Sequence, residues 1–392
     1  MRDRAYFSLT ALATILVSTV PVRAQGEQWL QYRSAREATQ IAGALSTLTL
    51  DLRDEAPAGV ALPQLKGQDP VFAKWPTPMV EAGGLWMALD RTTEAGLHNS
   101  LYIDSDGDGR LDDETAETAY RLDQYSSYFG PVKVIFQIED GPVTYHLNLR
   151  FYASGANRRL YVSAGGWYEG DITIGDLKKH CVLLDYNANG TFNDRSPDPG
   201  QSDRIGISER NTTGAVFVGK YLEIGDTLYE PQIARDGAFV KLPKAQNVKF
   251  GAVKLADTVS SFCAGGENGQ FVRSPENGVA TLPVGKYRIT EWTIDRKDDN
   301  GAQWRLQAIG VGNASSFEVS ETTDASLEIG EPVEAIVQAT AREGTYSFNQ
   351  SLRGRRGERI VLTRNGAQPQ APRLNIKNKD GTYDRTFSFS YG

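Results

Sequence analysis

Apolar and polar residues alternate strictly in several segments of this chain, and a period of two leaves few structures open. The alternation is clearest between Val132 and Tyr152, where VKVIFQIE and VTYHLNLRFY flank Asp140-Gly141, a dipeptide typical of tight hairpin turns. The apolar residues of the second segment share one face of a strand: Val143, Tyr145, Leu147, Leu149 and Phe151. Because half-buried strands read this way, the sequence predicts a mostly β fold built from antiparallel sheets and hairpins.

One short helix is predicted near the N-terminus. Ser34-Ala35-Arg36-Glu37 matches a capping box, in which the first and fourth side chains bond each other's backbone N–H groups. Gly43 is a suitable stop, which gives a helix of about two turns. The other periodic segments read as strands bounded by Gly, Asp, Asn or Pro.

Residues 1–24 have the layout of a secretory signal peptide. Two arginines precede an apolar run at 11–20, and Val22-Arg23-Ala24 is a suitable cleavage site. The run is too short for a permanent membrane helix, and no second long apolar run follows it. We therefore expect an exported protein, secreted or periplasmic, with no transmembrane anchor after signal cleavage.

The charge of the chain limits its partners. The formal net charge is −7, and removal of residues 1–24, which carry three Arg and one Asp, makes it two units more negative. An acidic balance argues against nucleic acid as the main partner and is compatible with cations.

Composition also suggests where the chain divides. The stretch CAGGENGQFVRSPENG, residues 263–278, mixes Gly, Asn, Ser and Pro and is predicted to be a linker. It would join a β-rich region at 25–262 to one or more β-sandwich modules at 279–392. Within 278–290, GVATLPVGKYRIT resembles the turn and strand of transthyretin-like and immunoglobulin-like modules of secreted proteins, which implies a C-terminal β-sandwich of one of those types.

The segment LYIDSDGDGRLDDE, residues 101–114, carries six carboxylates after a strand-like stub. Asp104, Asp106 and Asp108 alternate and Gly109 follows, matching the start of the calcium-loop pattern D-x-[DN]-x-[DN]-G. Side chains at these alternate positions converge when the backbone wraps a cation, and the glycine permits the sharp turn. The predicted ligands of this first loop, residues 104–115, are Asp104, Asp106, Asp108, the Arg110 carbonyl, Asp112, and Asp113 or Glu114.

A bound cation explains why so many like charges lie together. Carboxylates about 4 Å apart repel by roughly 1 kcal/mol per pair in water, and by several times more where solvent is excluded. A divalent cation removes that penalty, and Ca²⁺ suits a flexible loop better than Mg²⁺, which keeps its waters and demands an octahedron. The alternative is that Asp and Gly serve only as turn residues. Turn propensity does not require a carboxylate at three alternate positions, so calcium is the predicted cofactor.

The segment DSDGDGRLDD resembles the calcium loops of thrombospondin type 3 repeats, dockerins and EF-hands, which implies calcium ligation here. The loop departs from those families at Thr115, where they carry a bidentate acid, and LYI replaces an entering helix. We therefore expect a calcium loop set in a β framework, with Asp113 or Glu114 replacing the missing acid. Leu111, two residues after the glycine, is expected to turn inward.

A second copy of the pattern occurs in LLDYNANGTFND. Asp185, Asn187 and Asn189 hold the three alternate positions, Gly190 follows, and Phe192 corresponds to the inward leucine. The predicted ligands of this second loop, residues 185–203, are Asp185, Asn187, Asn189, the Thr191 carbonyl, Asn193, Asp194, and Asp198 or Asp203. Because two of the ligands are neutral amides, we expect weaker calcium binding here, and a simple turn is a stronger alternative than in the first loop.

Two further features leave alternatives open. Cys181 and Cys263 are the only cysteines, and in an exported protein they could form one disulfide, whereas the apolar run CVLLD favours a buried free thiol at Cys181. The acidic stretch DRKDDNG, residues 295–301, lacks the alternating spacing and is predicted to be a hairpin loop.

No catalytic pattern stands out. His98, His146 and His180 are far apart in sequence and lack zinc-site spacing, and no nucleophile or phosphate-binding motif is present. We therefore expect a secreted, non-catalytic calcium-binding β protein that has a binding or scaffold role and a surface glycan or a protein as partner.

The alternative is a secreted carbohydrate-active enzyme or carbohydrate-binding protein stabilised by calcium. Acids of glycosidases follow no local spacing rule, and aromatic side chains can stack on sugar rings. The aromatic residues that motivate this alternative lie in two stretches: Trp167 and Tyr168 in GGWYEGD, and Tyr125, Tyr128 and Phe129 in QYSSYFG.

Overall fold

The computed structural model describes the chain from residue 26 to residue 390 with internal gaps. The residues outside the description are 1–25, 37, 39–46, 94–95, 140, 209–213, 310–315 and 391–392. The predicted signal peptide and most of the predicted helix at 34–43 therefore lie outside the described residues. Ser34 is the last residue of a strand, and the described residues contain no helix of seven or more residues. None of their helices is long and apolar enough to cross a membrane.

The mostly β fold predicted from the alternation is confirmed. The strands of the first two thirds of the chain, with one short 3-10 helix at Pro199–Gln201, are β1 Gln28–Trp29, β2 Gln31–Ser34, β3 Leu48–Leu50, β4 Leu52–Arg53, β5 Val71–Pro76, β6 Gly84–Asp90, β7 Ser100–Ile103, β8 Glu117–Thr118, β9 Arg121–Leu122, β10 Ser126–Ile138, β11 Gly141–Ser154, β12 Asn157–Ala164, β13 Gly166–Ile174, β14 Leu177–Leu184, β15 Arg204–Ser208, β16 Val216–Phe217, β17 Leu222–Ile224, β18 Thr227–Tyr229, β19 Gln232–Ile233 and β20 Phe239–Lys241.

Three five-stranded antiparallel sheets dominate this region, in the orders β3-β12-β11-β10-β9, β16-β15-β14-β13-β2 and β4-β5-β6-β7-β8. The predicted hairpin is β10–β11, with Val132 opposite Leu147 and Ile138 opposite Gly141. Its predicted inner face is confirmed from Tyr145 to Phe151, because the apolar residues there are almost completely buried.

The apolar faces of these sheets meet in one core, here called the first core, whose buried members run from Leu30 to Leu242. Aromatic rings fill its centre, and the rings of Trp75 and Tyr145 stack with centroids 5.7 Å apart. A smaller core on the other face of β5 and β6 contains Leu111. The two acidic loops are attached to these two cores.

The remaining strands form the C-terminal part of the molecule. They are β21 Phe250–Lys254, β22 Ser261–Gly266, β23 Gly269–Arg273, β24 Val279–Pro283, β25 Gly285–Lys297, β26 Gln303–Ile309, β27 Ser316–Val319, β28 Ala325–Ser326, β29 Glu334–Arg342, β30 Thr345–Arg353, β31 Arg359–Arg364, β32 Arg373–Lys377 and β33 Asp384–Ser388. A large sheet in the order β23-β22-β25-β26-β31-β30-β29 and a small sheet in the order β24-β21-β28 both contribute to a second core. The acidic stretch at 295–301 forms the end of β25 and most of the turn that leads to β26, so the predicted hairpin is confirmed, with its loop at 298–302. The immunoglobulin-like or transthyretin-like assignment stays a prediction.

The stretch predicted as a linker, 263–278, is largely built into this sheet as β22 and β23, which pair antiparallel. Its glycines permit close packing, because a Cβ at Gly265 would collide with the ring of Phe217 and one at Gly269 with the carbonyl oxygen of Tyr221. The first core ends at Leu242, and apart from Tyr221 the fully buried residues of the second core begin at Val253. The change from one core to the other therefore precedes the predicted linker.

Candidate metal centre

The first loop leaves the end of a buried strand and is fixed on two sides. Strand β7 pairs with β6, and the N–H of Asp104 continues that contact by donating to the Trp86 carbonyl at 3.0 Å. The carbonyl of Ser105 accepts the N–H of Ile135, in β10 of another sheet, at 2.7 Å. The loop therefore starts at a junction between two sheets.

The three alternating carboxylates converge in this loop. Asp104, Asp106 and Asp108 each offer one oxygen, and these oxygens lie within 4.8 Å of one another. Asp104 is only 2% exposed, whereas the other two side chains are exposed. The ion pairs formed among the described residues include none of the three. This triad can hold a metal ion.

The backbone of the loop supports the triad. The two carboxylate oxygens of Asp104 accept the N–H groups of Gly107 at 2.8 Å and Gly109 at 3.1 Å. Gly107 and Gly109 have φ values of 81° and 85°, a region that favours glycine. Leu111 is completely buried, as predicted, and its N–H donates to the Ala61 carbonyl at 2.8 Å. Both ends of the loop are thus anchored, Asp104 to β6 and Leu111 to the segment that contains Ala61.

The other predicted ligands of the first loop point elsewhere. The Arg110 guanidinium binds the Asp112 carboxylate at 2.7 Å and lies 3.5 Å from that of Asp113, so an internal cation already pairs with these two acids. Glu114 turns back onto Ser105, whose N–H donates to one carboxylate oxygen and whose hydroxyl donates to the other at 2.9 Å. The structure therefore brings together three of the predicted carboxylates and not Asp112 or Asp113.

Electrostatics set Asp104 apart from ordinary surface acids. Burial raises the pKa of Asp104, and the neighbouring charges of Asp108 and Asp106 raise it further, while the two backbone N–H bonds oppose the change. Burial also raises the pKa of Glu114, and the charges of Asp106 and Asp104 add to that effect. A cation placed among these groups would favour their charged forms.

The second loop begins with a carboxylate enclosed in the first core. Asp185 directly follows β14 and is completely buried. Its oxygens accept the Tyr145 hydroxyl at 2.8 Å, the N–H of Gly190 at 2.6 Å and the N–H of Asn189 at 3.2 Å. Phe192 turns inward, as predicted, and its ring meets that of Tyr168 edge-on at 5.1 Å.

A second buried carboxylate closes the loop. Asp203 accepts the N–H of Tyr186 at 3.0 Å and the N–H of Asp194 at 2.8 Å. The amide groups of Asn187 and Asn189 both donate to one oxygen of Asp194, at 2.9 and 2.6 Å. The loop thus satisfies its carboxylates with its own backbone and amide N–H groups.

The remaining predicted ligands of the second loop differ in position. Thr191 is buried, and its hydroxyl donates to the Asn189 side chain at 2.8 Å. Asn193 is half-buried and makes none of the hydrogen bonds described above. Asp198 caps the 3-10 helix by accepting the N–H of Gly200 at 3.0 Å, whereas Asp203, the alternative predicted ligand, is completely buried.

The two buried carboxylates of the second loop, Asp185 and Asp203, are costly to ionise. Burial raises the pKa of Asp185, although its hydrogen bonds with Tyr145 and the backbone oppose the rise. Burial raises the pKa of Asp203 strongly, and the charges of Asp185 and Asp194 raise it further. The neighbouring Arg204 donates to the carbonyl of Ser202 and stacks on the ring of Tyr186 at 3.8 Å. Its guanidinium therefore contacts backbone oxygen and an aromatic ring in place of the two carboxylates.

The other candidate residues lie outside both loops, although Tyr168 packs against Phe192. Cys181 and Cys263 are free buried thiols on β14 and β22, and burial raises the pKa of both, to about 12 for Cys181. Trp167, Tyr168 and Phe129, which motivated the carbohydrate alternative, are buried. Tyr125 is 43% exposed.

Two partners in these loops were not predicted. Tyr145 binds Asp185 from 40 residues away, and the alternation marks it only as a core residue. Ser105 occupies a variable position of the pattern and yet binds Glu114.

Comparison with known proteins gives no related protein, since no family model matches the chain and neither the curated proteins nor the solved structures contain a significant match.

Proposed function

We propose that this chain is an exported calcium-binding β protein in which Ca²⁺ bound by the first loop stiffens the framework of a binding or scaffold surface. The observation that carries the proposal is the convergence of Asp104, Asp106 and Asp108 within 4.8 Å. Without a cation, three carboxylates at this separation repel one another, and the burial of one of them increases the cost.

Calcium fits this donor set better than other common metals. All three side chains offer oxygen, the ligand atom that hard cations prefer, and the group contains neither the sulfur nor the imidazole typical of zinc sites. Two of the three carboxylates face solvent, so water can complete a shell of six to eight oxygens. Mg²⁺ would demand a stricter octahedron than a glycine-containing loop favours.

The position of the loop gives calcium a mechanical role. The segment from Asp104 to Leu111 contacts β6, β10 and Ala61 through backbone hydrogen bonds. A cation that holds the three acids together would keep these contacts in register. We therefore propose that calcium has a structural role and not a catalytic one.

The second loop is proposed as a weaker calcium site. Its oxygens belong to Asp185, Asp203, Asp194 and two asparagines, a donor set that calcium accepts. Binding would require Asn187 and Asn189 to give up their hydrogen bonds with Asp194. It would also require both buried carboxylates to be charged, so the net gain is smaller than in the first loop.

Thermal unfolding of the mature protein tests the proposal. Calcium at one hundred times the Kd stabilises by about 2.7 kcal/mol through mass action, so the melting temperature should rise with calcium and fall with EDTA. Magnesium at the same concentration should produce a smaller rise, and native mass spectrometry should detect bound calcium. A melting temperature that is the same in calcium and in EDTA would contradict the proposal.

A further inference from the structure

The last strand of the large sheet has an exposed edge. Strand β29 pairs with β30 on one side, and among the described residues no strand pairs with its other side. Eight of its nine residues are exposed, and Ile336 is half-buried. The hairpin projects, since most of β30 is exposed as well. Unpaired backbone groups on such an edge are a template for another strand.

The turn of the hairpin fixes which backbone groups face outward. Glu343 and Gly344 form a two-residue turn with φ values of 49° and 79°, and Arg342 lies opposite Thr345. In a two-residue hairpin the residues next to the turn bond each other, and the pattern alternates from there. The residues whose N–H and C=O groups point away from β30 are therefore Ala335, Val337, Ala339 and Ala341.

The edge lacks the usual protection against pairing. Natural edge strands carry lysine, proline or a bulge within their length. Strand β29 reads EAIVQATAR, with no lysine and no proline, and its register with β30 is continuous. Its charged residues, Glu334 and Arg342, lie at opposite ends and have opposite signs.

We propose that β29 pairs antiparallel with β29 of a second copy of this chain, across a two-fold axis at Gln338. This register places Ala335 opposite Ala341 and Val337 opposite Ala339, so the outward-facing groups of each strand bond their counterparts. It also places Glu334 of each copy opposite Arg342 of the other. The strand is self-complementary in hydrogen bonding, in side-chain size and in charge.

The opposite edge of the sheet does not offer an equivalent partner. Strand β23 has five residues, and it packs against β16 and β17. Arg273 at its end binds Glu223 through two hydrogen bonds of 2.7 and 2.9 Å. Pairing of β29 with itself therefore closes a dimer, whereas head-to-tail growth into a fibre is blocked. This inference does not depend on calcium.

Sedimentation velocity of the mature protein over about 1 to 100 µM tests the dimer, since that range spans a typical weak Kd. We expect a monomer–dimer equilibrium that is unchanged by EDTA. Glu334→Arg should weaken dimerisation roughly tenfold, because like charges then meet at both ends of the paired strands. The double variant Glu334→Arg/Arg342→Glu should restore the wild-type affinity. Glu81→Arg makes the same charge change at an exposed position before β6 and serves as the matched control, with the affinity kept.

A proline variant provides a second test that is independent of charge. Ala339→Pro removes an outward N–H, a position where an edge strand tolerates proline, so the variant should keep its fold and lose the dimer. A wild-type protein that stays monomeric at about 100 µM would overturn the inference. So would equal dimer affinities for Glu334→Arg and the double variant, or a folded Ala339→Pro variant that dimerises like the wild type.

Discussion

The two acidic loops share one sequence pattern and differ in how their carboxylates are satisfied. In the first loop the acids at the three alternate positions converge, and none of them joins an ion pair formed among the described residues. In the second loop Asp185 is buried and hydrogen-bonded, and Asn187 and Asn189 donate to Asp194. The same backbone pattern therefore produces a cluster of converging carboxylates in the first loop and a hydrogen-bonded network in the second.

The difference follows from one property of asparagine. Its side chain has a donor group as well as an acceptor, so it can bind a neighbouring carboxylate, which a second carboxylate cannot do. Replacing two aspartates by asparagines thus converts repulsion into hydrogen bonds. Burial reinforces this, because Asn187 and Asn189 are half-buried whereas Asp106 and Asp108, at the equivalent positions, face solvent.

The largest effect should come from removing the buried acid of the second loop. Asp185→Ala leaves the Tyr145 hydroxyl and two backbone N–H groups without their acceptor, which should cost about 3 to 5 kcal/mol of unfolding free energy. Urea denaturation in EDTA measures the loss. Asp198→Ala, at an exposed position of the same loop, is the control and should cost less than about 1 kcal/mol. Similar costs for both would show that the buried network contributes little.

Making the second loop more like the first should lower the stability of the metal-free protein and raise its calcium affinity. Asn189→Asp removes the amide that donates to Asp194 at 2.6 Å and puts two carboxylates in contact. In EDTA the variant should lose about 2 kcal/mol of unfolding free energy, while its calcium affinity should rise roughly tenfold. Denaturation with and without calcium measures both changes. Unchanged stability in EDTA would remove the proposed difference between the loops.

The smallest predicted effect is a pH dependence of stability that arises from His98, a residue next to β7 and outside both loops. Burial lowers the pKa of His98, which precedes β7, below its ordinary value of 6.5. The folded state therefore binds a proton less readily than the unfolded state, so stability is complete above about pH 6.5 and is lost as the pH falls below it. As the pH falls from 8 to 5, denaturation in EDTA should show the wild type losing stability relative to His98→Gln, since the raised pKa values of Asp185 and Asp203 affect both proteins alike. The same slope in both proteins would assign the loss to other groups.

Local pattern predicted the parts of the molecule that depend on nearby residues. The alternation predicted the β10–β11 hairpin, and the position two residues after the glycine predicted inward Leu111 and Phe192. The spacing of Asp104, Asp106 and Asp108 predicted that they converge. Each of these features depends on residues within one hairpin or one loop.

Contacts between distant segments were beyond prediction from the pattern. Tyr145 reads as a core residue because its face is apolar, and nothing in the sequence places its hydroxyl beside Asp185. The glycines of 263–278 suggested a flexible linker, yet Gly265 is needed where the sheet approaches Phe217. A flexible linker and a closely packed strand can have the same glycine content, and only the residues that pack against the glycines distinguish the two.

Calcium titration by calorimetry of the wild type, Asp106→Asn and Asp112→Asn tests the central claim most directly. Asp106 is exposed and belongs to the triad, whereas Asp112 pairs with Arg110. In EDTA Asp112→Asn should match the wild type within about 0.5 kcal/mol, whereas Asp106→Asn should be at least as stable as the wild type, because it removes one of the repelling carboxylates. We predict that Asp112→Asn keeps the tighter calcium site and that Asp106→Asn loses it. Equal calcium binding by all three proteins, or none by the wild type, would contradict a calcium site at this triad.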